Sequence, residues 1–74
     1  MNHKEFKRVR ESLGMDRKQL AELLCLSGYD TVMNIEIGFR KPSKLAIRVL
    51  RYLESLPKKK AQNFIEELKS HEPK

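Results

Sequence analysis

The 74-residue chain is long enough for one small domain, and a domain of this size buries only about 60% of the surface its unfolded chain exposes. Sixteen Lys and Arg against ten Asp and Glu leave a net charge of +6 and a pI near 9.7, which favours an anionic partner, nucleic acid above others. A single cysteine excludes an intramolecular disulfide, no apolar run approaches the ~20 residues of a bilayer span, and the N-terminal MNHKEFKRVR has no signal-peptide apolar region, so a soluble, cytoplasmic protein without an anchor is expected.

Apolar spacing reads as helix nearly throughout. Phe6, Val9 and Leu13 recur on one face of a first helix, which Gly14 closes in the manner of a C′ glycine. Asp16 is placed to N-cap a second, short helix, RKQLAELL, with Leu20, Ala21, Leu23 and Leu24 on its inner side. Ser27, with Asp30 three residues on, resembles a capping box, so a third helix is expected to start at Ser27. Val32 and Ile35 give it an inward face, and Gly38 ends it. Pro42 breaks the chain again and Ser43 is the expected N-cap of KLAIRVLRYLESL, whose stripe is Leu45, Ala46, Val49, Leu50 and Leu53. Pro57 stands at an N1-like position before a last helix, KKKAQNFIEELKS, with Phe64, Ile65 and Leu68 on one face, and the tail HEPK is expected to fray. No strand alternation, internal repeat or low-complexity tract stands against this pattern. The expected fold class is all-α: five short helices round one thin core in a single domain over residues 1–74, with the main core in 4–56 and a separate role, dimerisation, for the helix of 57–70.

Residues 16 to 37 have the geometry of a helix-turn-helix, in which one helix braces a second that is short, rigid and polar outside. The outward residues of the second are Tyr29, Asp30, Thr31, Met33 and Asn34. They are hydrogen-bonding or small apolar groups suited to base edges and thymine methyls, not the Glu/Lys mix of an ordinary solvated face.

The ordered set Arg10, Leu13, Gly14, Leu20-Ala21, Ser27, Val32, Ile35-Glu36, Gly38, Arg40 and Pro42-Ser43 resembles the Cro/C1-type (XRE) helix-turn-helix regulators of phages and bacteria. The resemblance runs over about residues 6 to 53 and is carried by Leu-Ala before the turn and I-E-x-G-x-R-x-P-S after it. It implies a five-helix lambda-repressor-like domain with Glu36 paired to Arg10 as a structural brace. The chain departs from the family pattern in four respects. Arg17 stands where a glutamine usually opens helix 2, and Cys25 where the turn usually holds glycine. The turn is one residue longer, with Gly28 displaced downstream. Ile37 and Phe39 replace residues that are usually polar or basic, and either pack under helices 4 and 5 or join a subunit contact.

Within that frame, Arg17, Lys18, Arg40 and Lys41 are expected to grip phosphates on either side of the recognition helix, against the bland reading of surface charge. Ser27, Tyr29, Asp30, Thr31, Met33 and Asn34 complete the expected DNA-binding set. For Asp30 capping is preferred over a cytosine contact, Tyr29 contacts DNA or covers the turn, and Asn34 is suited to bidentate bonding with adenine. Cys25 reads as a small buried hydrophobe and, with His3 and His71, offers no metal-ligand spacing. Lys58, Lys59 and Lys60 read as solvated charge. Nothing resembles a nucleophile with its base, paired catalytic carboxylates or a phosphate-cradling glycine loop, so neither an enzyme nor a cofactor is expected, and no small-molecule ligand or membrane partner is evident.

Tyr52, Leu56, Phe64, Ile65 and Leu68 either pad the core or form a two-fold dimer contact, and the dimer is preferred because it buries what a thin core cannot. The expected partners are therefore double-stranded DNA carrying an inverted repeat and a second copy of the chain. The expected function is a sequence-specific repressor, autoregulatory because no ligand-sensing module is evident. The resemblance also extends to mobile-element regulators such as anti-CRISPR-associated repressors. Two rivals are an antitoxin, whose last helix would hold a toxin, and a helical protein-interaction module that keeps the fold without DNA binding.

Overall fold

The computed structural model describes residues 1–72 and, among them, holds five α-helices and no strand. They are α1 (His3–Ser12), α2 (Arg17–Leu23), α3 (Tyr29–Glu36), α4 (Lys44–Ser55) and α5 (Lys58–Ser70). The chain is thus all-α, as its periodicity predicts. The described residues contain no helix long and apolar enough to cross a membrane. The expectation of a frayed tail falls partly on residues 73 and 74, which lie outside the described residues.

Each helix start follows from local chemistry. Asn2 and Glu5 form a reciprocal capping box at α1, the Glu5 N–H donating to Asn2 Oδ1 at 2.8 Å. Asp16 and Gln19 do the same at α2, with bonds of 2.7 and 2.9 Å. Ser43 Oγ accepts the Ala46 N–H at 3.1 Å and opens α4. Pro57, expected at N1, lies one position earlier, at the N-cap of α5.

The first three helices end alike. In each the C′ residue takes the left-handed conformation, its N–H donating to the C2 carbonyl while the next N–H donates to the C3 carbonyl. After α1 the pair is Gly14 to Glu11 (3.0 Å) and Met15 to Arg10 (3.3 Å). After α3 it is Gly38 to Ile35 (3.1 Å) and Phe39 to Asn34 (2.9 Å). After α2 it is Cys25 to Glu22 (3.2 Å) and Leu26 to Ala21 (2.8 Å), with Cys25 at φ 56°. Cys25 thereby occupies a glycine's position, and it is exposed. The expectation of a buried cysteine is corrected: a residue at C′ projects from the helix end.

Phe6, Val9, Leu20, Val32, Leu50 and Leu53 are wholly buried and form the centre of the core. Ala61 and Ile65 of α5 belong to the same cluster, so the core does not stop at residue 56. Leu45, expected to face inward, is 68% exposed. On α4 the buried line is Ala46, Leu50 and Leu53, and Leu45 begins an adjacent line one residue round the helix.

Candidate nucleic-acid interface

The α2–turn–α3 unit is the most closely packed pair of elements in the chain. Leu20, Ala21 and Leu23 of α2 meet Val32 and Ile35 of α3 in the core cluster, which leaves the opposite side of α3 outward. Tyr29 and Asp30 are exposed there, and Thr31, Met33 and Asn34 are half-buried. Ser27 and Thr31 share a hydroxyl–hydroxyl hydrogen bond of 3.0 Å across the entry to α3.

The start of α3 differs from the expected one. Its first residue is Tyr29, its N-cap is Gly28, and no side chain caps it. Ser27 spends its hydroxyl on Thr31, and Asp30 lies inside the first turn, where its carboxylate faces the helix dipole without a capping bond. Capping as the role of Asp30 is therefore corrected. The C-cap at Cys25 consumes residues up to Leu26, so the next helix begins two residues later than the Ser27 signal suggests. Gly28 is in extended backbone at φ 170°, with no atom near the position a Cβ would take.

Beneath α3 lies a compact ionic cluster. Arg10 Nε donates to Glu36 Oε2 at 2.6 Å, and Arg10 Nη2 to Glu36 Oε1 at 3.3 Å. A third donor, Arg10 Nη1, reaches the Met15 carbonyl at 2.8 Å, which ties the pair to the turn between α1 and α2. The Glu36 side chain is 1% exposed and that of Arg10 10%. The two-pronged bond fixes the end of α3 against α1, so Glu36 is a positioning group inside the frame, as the opening of the I-E-x-G pattern suggests.

A second arginine joins from the other side. Arg17 Nε donates to Glu36 Oε1 at 3.1 Å, with the Arg17 side chain 37% exposed. Spacing does not reveal this contact: Arg17 and Glu36 are far apart in sequence, and Arg10 already accounts for the carboxylate. Arg17 is thus not a free surface cation. Its Nε is anchored, and among the described residues its one side-chain hydrogen bond is that to Glu36. Arg10, Asp16, Arg17, Lys18 and Tyr29 line one open surface depression, which brings the start of α2 and the start of α3 together. Lys18 is exposed there, and Arg40 and Lys41 are exposed beyond the opposite end of α3. Lys18 therefore stands by the start of the recognition-helix candidate, Arg40 and Lys41 follow its end, and Arg17 reaches from the start of α2 to Glu36 in its last turn.

The departures at Ile37 and Phe39 resolve against packing under α4 and α5, since Ile37 is 64% and Phe39 80% exposed. The five residues expected at a dimer contact divide. Ile65 is buried in the chain's own core and is withdrawn from that surface. Leu56 and Phe64 are half-buried against the core, while Tyr52 and Leu68 are 50% and 37% exposed. Tyr52 and Phe64 meet edge to face, with ring centroids 5.3 Å apart. Sequence reasoning missed two companions of this strip, Leu45 and Val49, which with Leu24, Leu26 and Leu68 line an apolar depression of about 440 Å³. The signal was available: Leu45, Val49, Tyr52 and Leu56 recur at intervals of four, three and four, a second stripe beside the buried one.

Compared with known proteins, the chain matches no family model, no curated protein and no solved structure.

Proposed function

We propose that the chain is a sequence-specific DNA-binding repressor of the Cro/C1-like kind, working in the cytoplasm as a homodimer on an inverted-repeat operator. One observation carries this reading. The outer face of α3 is Tyr29, Asp30, Thr31, Met33 and Asn34, without a lysine or glutamate, and exposed or partly exposed cations stand at both of its ends. A phosphate-binding frame needs cations where the backbones of the groove pass, and a base-reading helix needs short polar and apolar side chains between them. The eight residues of α3 make a rod of about 12 Å, held by a buried bidentate ion pair.

Lys18 by the start of α3, Arg40 and Lys41 beyond its end, and Arg17 from its bond to Glu36 grip phosphates. Arg17 does so from a guanidinium already oriented by Glu36, which lowers the entropy lost on binding. Thr31, Met33 and Asn34 read base edges, with Asn34 suited to adenine. Dimensions and surface support the homodimer. The described residues extend about 30 Å along their longest axis, and successive major-groove faces lie about 34 Å apart, so an inverted repeat is suited to two copies. The apolar strip of Leu45, Val49, Tyr52, Phe64 and Leu68 supplies a contact area for the second copy. Repression follows from occupying a promoter that polymerase also needs, and control by the protein's own concentration is the simplest scheme.

The test is selection of bound sequences from a random duplex library at physiological salt, with the bound species sized. Enrichment of an inverted repeat with half-sites about 10 bp apart and two chains bound is the expected result. Weak, motif-free binding that disappears with rising salt overturns it. Charge reversal at Lys18 and Arg40 together should abolish binding while leaving the fold intact. Lys18 is the better choice than Arg17, because a glutamate at position 17 would face the buried Glu36 carboxylate and disturb the fold itself.

A further inference from the structure

The loop after α3 carries the most exposed aromatic side chain in the described chain. Phe39 is 80% exposed and Ile37, two residues before it, 64%. Covering the ring would release free energy in proportion to the apolar area removed from water, so Phe39 with Ile37 offers a partner a small apolar contact on a backbone held in place. The place is fixed. The Phe39 and Arg40 N–H groups both donate to the Asn34 carbonyl, at 2.9 and 3.1 Å, and Gly38 holds the left-handed turn between them and the helix. The His3 ring backs the loop, its Nδ1 within 3.3 Å of the position a Gly38 Cβ would occupy.

The surroundings select the partner. From Ile37 to Lys44, the loop that holds Phe39, the chain carries Arg40, Lys41 and Lys44 and no acidic residue. A two-fold contact between copies centred on Phe39 would set two such cationic segments against each other, a repulsive arrangement. A polyanion with apolar faces between its charges is complementary instead. Nucleic acid has this composition: deoxyribose and base edges lie between phosphates.

The geometry points to Phe39, with Ile37 beside it, as an apolar contact laid on a deoxyribose–base edge of duplex DNA, between phosphates gripped by Arg40 and Lys41. This rests on the DNA-binding reading and adds to it. The loop contributes affinity through burial, whereas its neighbours contribute through charge. Because the loop backbone is held before binding, its ordering does not oppose the contact.

Salt separates the two kinds of contact. A cation that neutralises a phosphate releases counterions, and its loss lowers the slope of log affinity against log salt by about 1. A phenyl ring releases none. The experiment uses the full chain and the duplex recovered by selection, with dissociation constants measured over a salt series for wild type, Phe39→Ala, Phe39→Leu and Arg40→Ala, and sedimentation of each protein without DNA. Phe39→Ala should weaken binding roughly tenfold or more at every salt concentration with the slope unchanged. Phe39→Leu should recover part of that loss, and Arg40→Ala should weaken binding with a slope reduced by about 1. Thermal midpoint and association state should be unaltered by Phe39→Ala, because the ring is 80% exposed and is not a member of the core cluster. Unchanged affinity in Phe39→Ala overturns the proposal and leaves the DNA-binding reading standing. A changed association state in the DNA-free variant overturns it in favour of a second copy on this loop. If the wild-type chain enriches no duplex, the DNA-binding reading itself fails, and the assignment of Phe39 fails with it.

Discussion

Two residues show how much a single position can decide in a chain of this size. Cys25 holds φ 56°, a conformation that costs an L-residue about 1–2 kcal/mol, whereas the equivalent positions after α1 and α3 are glycines. Its side chain is exposed, so no packing is lost by removing it. Cys25→Gly should therefore stabilise the fold by about 0.5–1 kcal/mol, after allowance for the greater backbone freedom of glycine in the unfolded chain. Thermal denaturation under reducing conditions would show a midpoint raised by a few degrees. Glu36 is the opposite case. Its carboxylate accepts from two arginines, and Glu36→Ala would strand the buried Arg10 guanidinium, at a cost of about 3–5 kcal/mol. The midpoint should fall by more than about 10 °C, before any direct effect on binding. A variant that melted like wild type yet lost its DNA would sink the brace reading. Arg17→Ala should cost well under about 1 kcal/mol of stability, since its half of the cluster is open to solvent and Arg10 remains.

At the scale of the elements, α1 and α2 carry complete capping boxes, whereas α3 has no side-chain cap at all. The chain thus anchors the two helices that brace the site and leaves α3 to be held by packing and by Glu36 at its far end. Asn2→Ala and Asp16→Ala should each lower stability by about 1 kcal/mol, and Ser27→Ala and Asp30→Ala by much less, as denaturant midpoints would report. A capping box at Ser27 and Asp30 would instead predict similar losses at all four positions. The comparison also bears on reading helix starts from sequence. The Asn2–Glu5 and Asp16–Gln19 pairs obey the same spacing as Ser27–Asp30, yet only the first two cap. The difference lies in the preceding turn: the C-cap of α2 runs through Leu26 and pushes the start of α3 to Tyr29.

For the molecule as a whole, α5 has two roles where its apolar face suggested one. Ala61 and Ile65 complete the core, and Phe64 and Leu68 stand beside Tyr52 at the edge of an apolar strip. Variants should separate them. Ile65→Ala should lower stability by about 2–5 kcal/mol as a core truncation. If the proposed dimer forms through this strip, Tyr52→Ser with Leu68→Ser should leave the monomer folded and shift sedimentation toward single chains. A double variant that sediments like wild type would remove the strip from the proposed contact. The Arg8–Glu54 pair, at 3.1 Å and largely exposed, links α1 to α4 but adds little to stability.

Sequence alone determined the five helices and most of their ends, because each rests on local physics; the Arg10–Glu36 brace was legible only through the family resemblance. Apolar residues at helical spacing, a glycine at a left-handed C′ position and a serine or aspartate before a helix act within a few residues of themselves. The pattern from Ile35 to Ser43 marked the end of α3 and its cations for the same reason. Tertiary structure alone decided which of two adjacent stripes of α4 was buried, which left Leu45 outside and Leu50 within. It also decided that Ile65 belongs to the core, that Arg17 shares Glu36 with Arg10, and that Phe39 stands in water. Such outcomes depend on which surfaces meet once helices pack, and residues far apart in sequence, such as Arg10, Arg17 and Glu36, become neighbours only then.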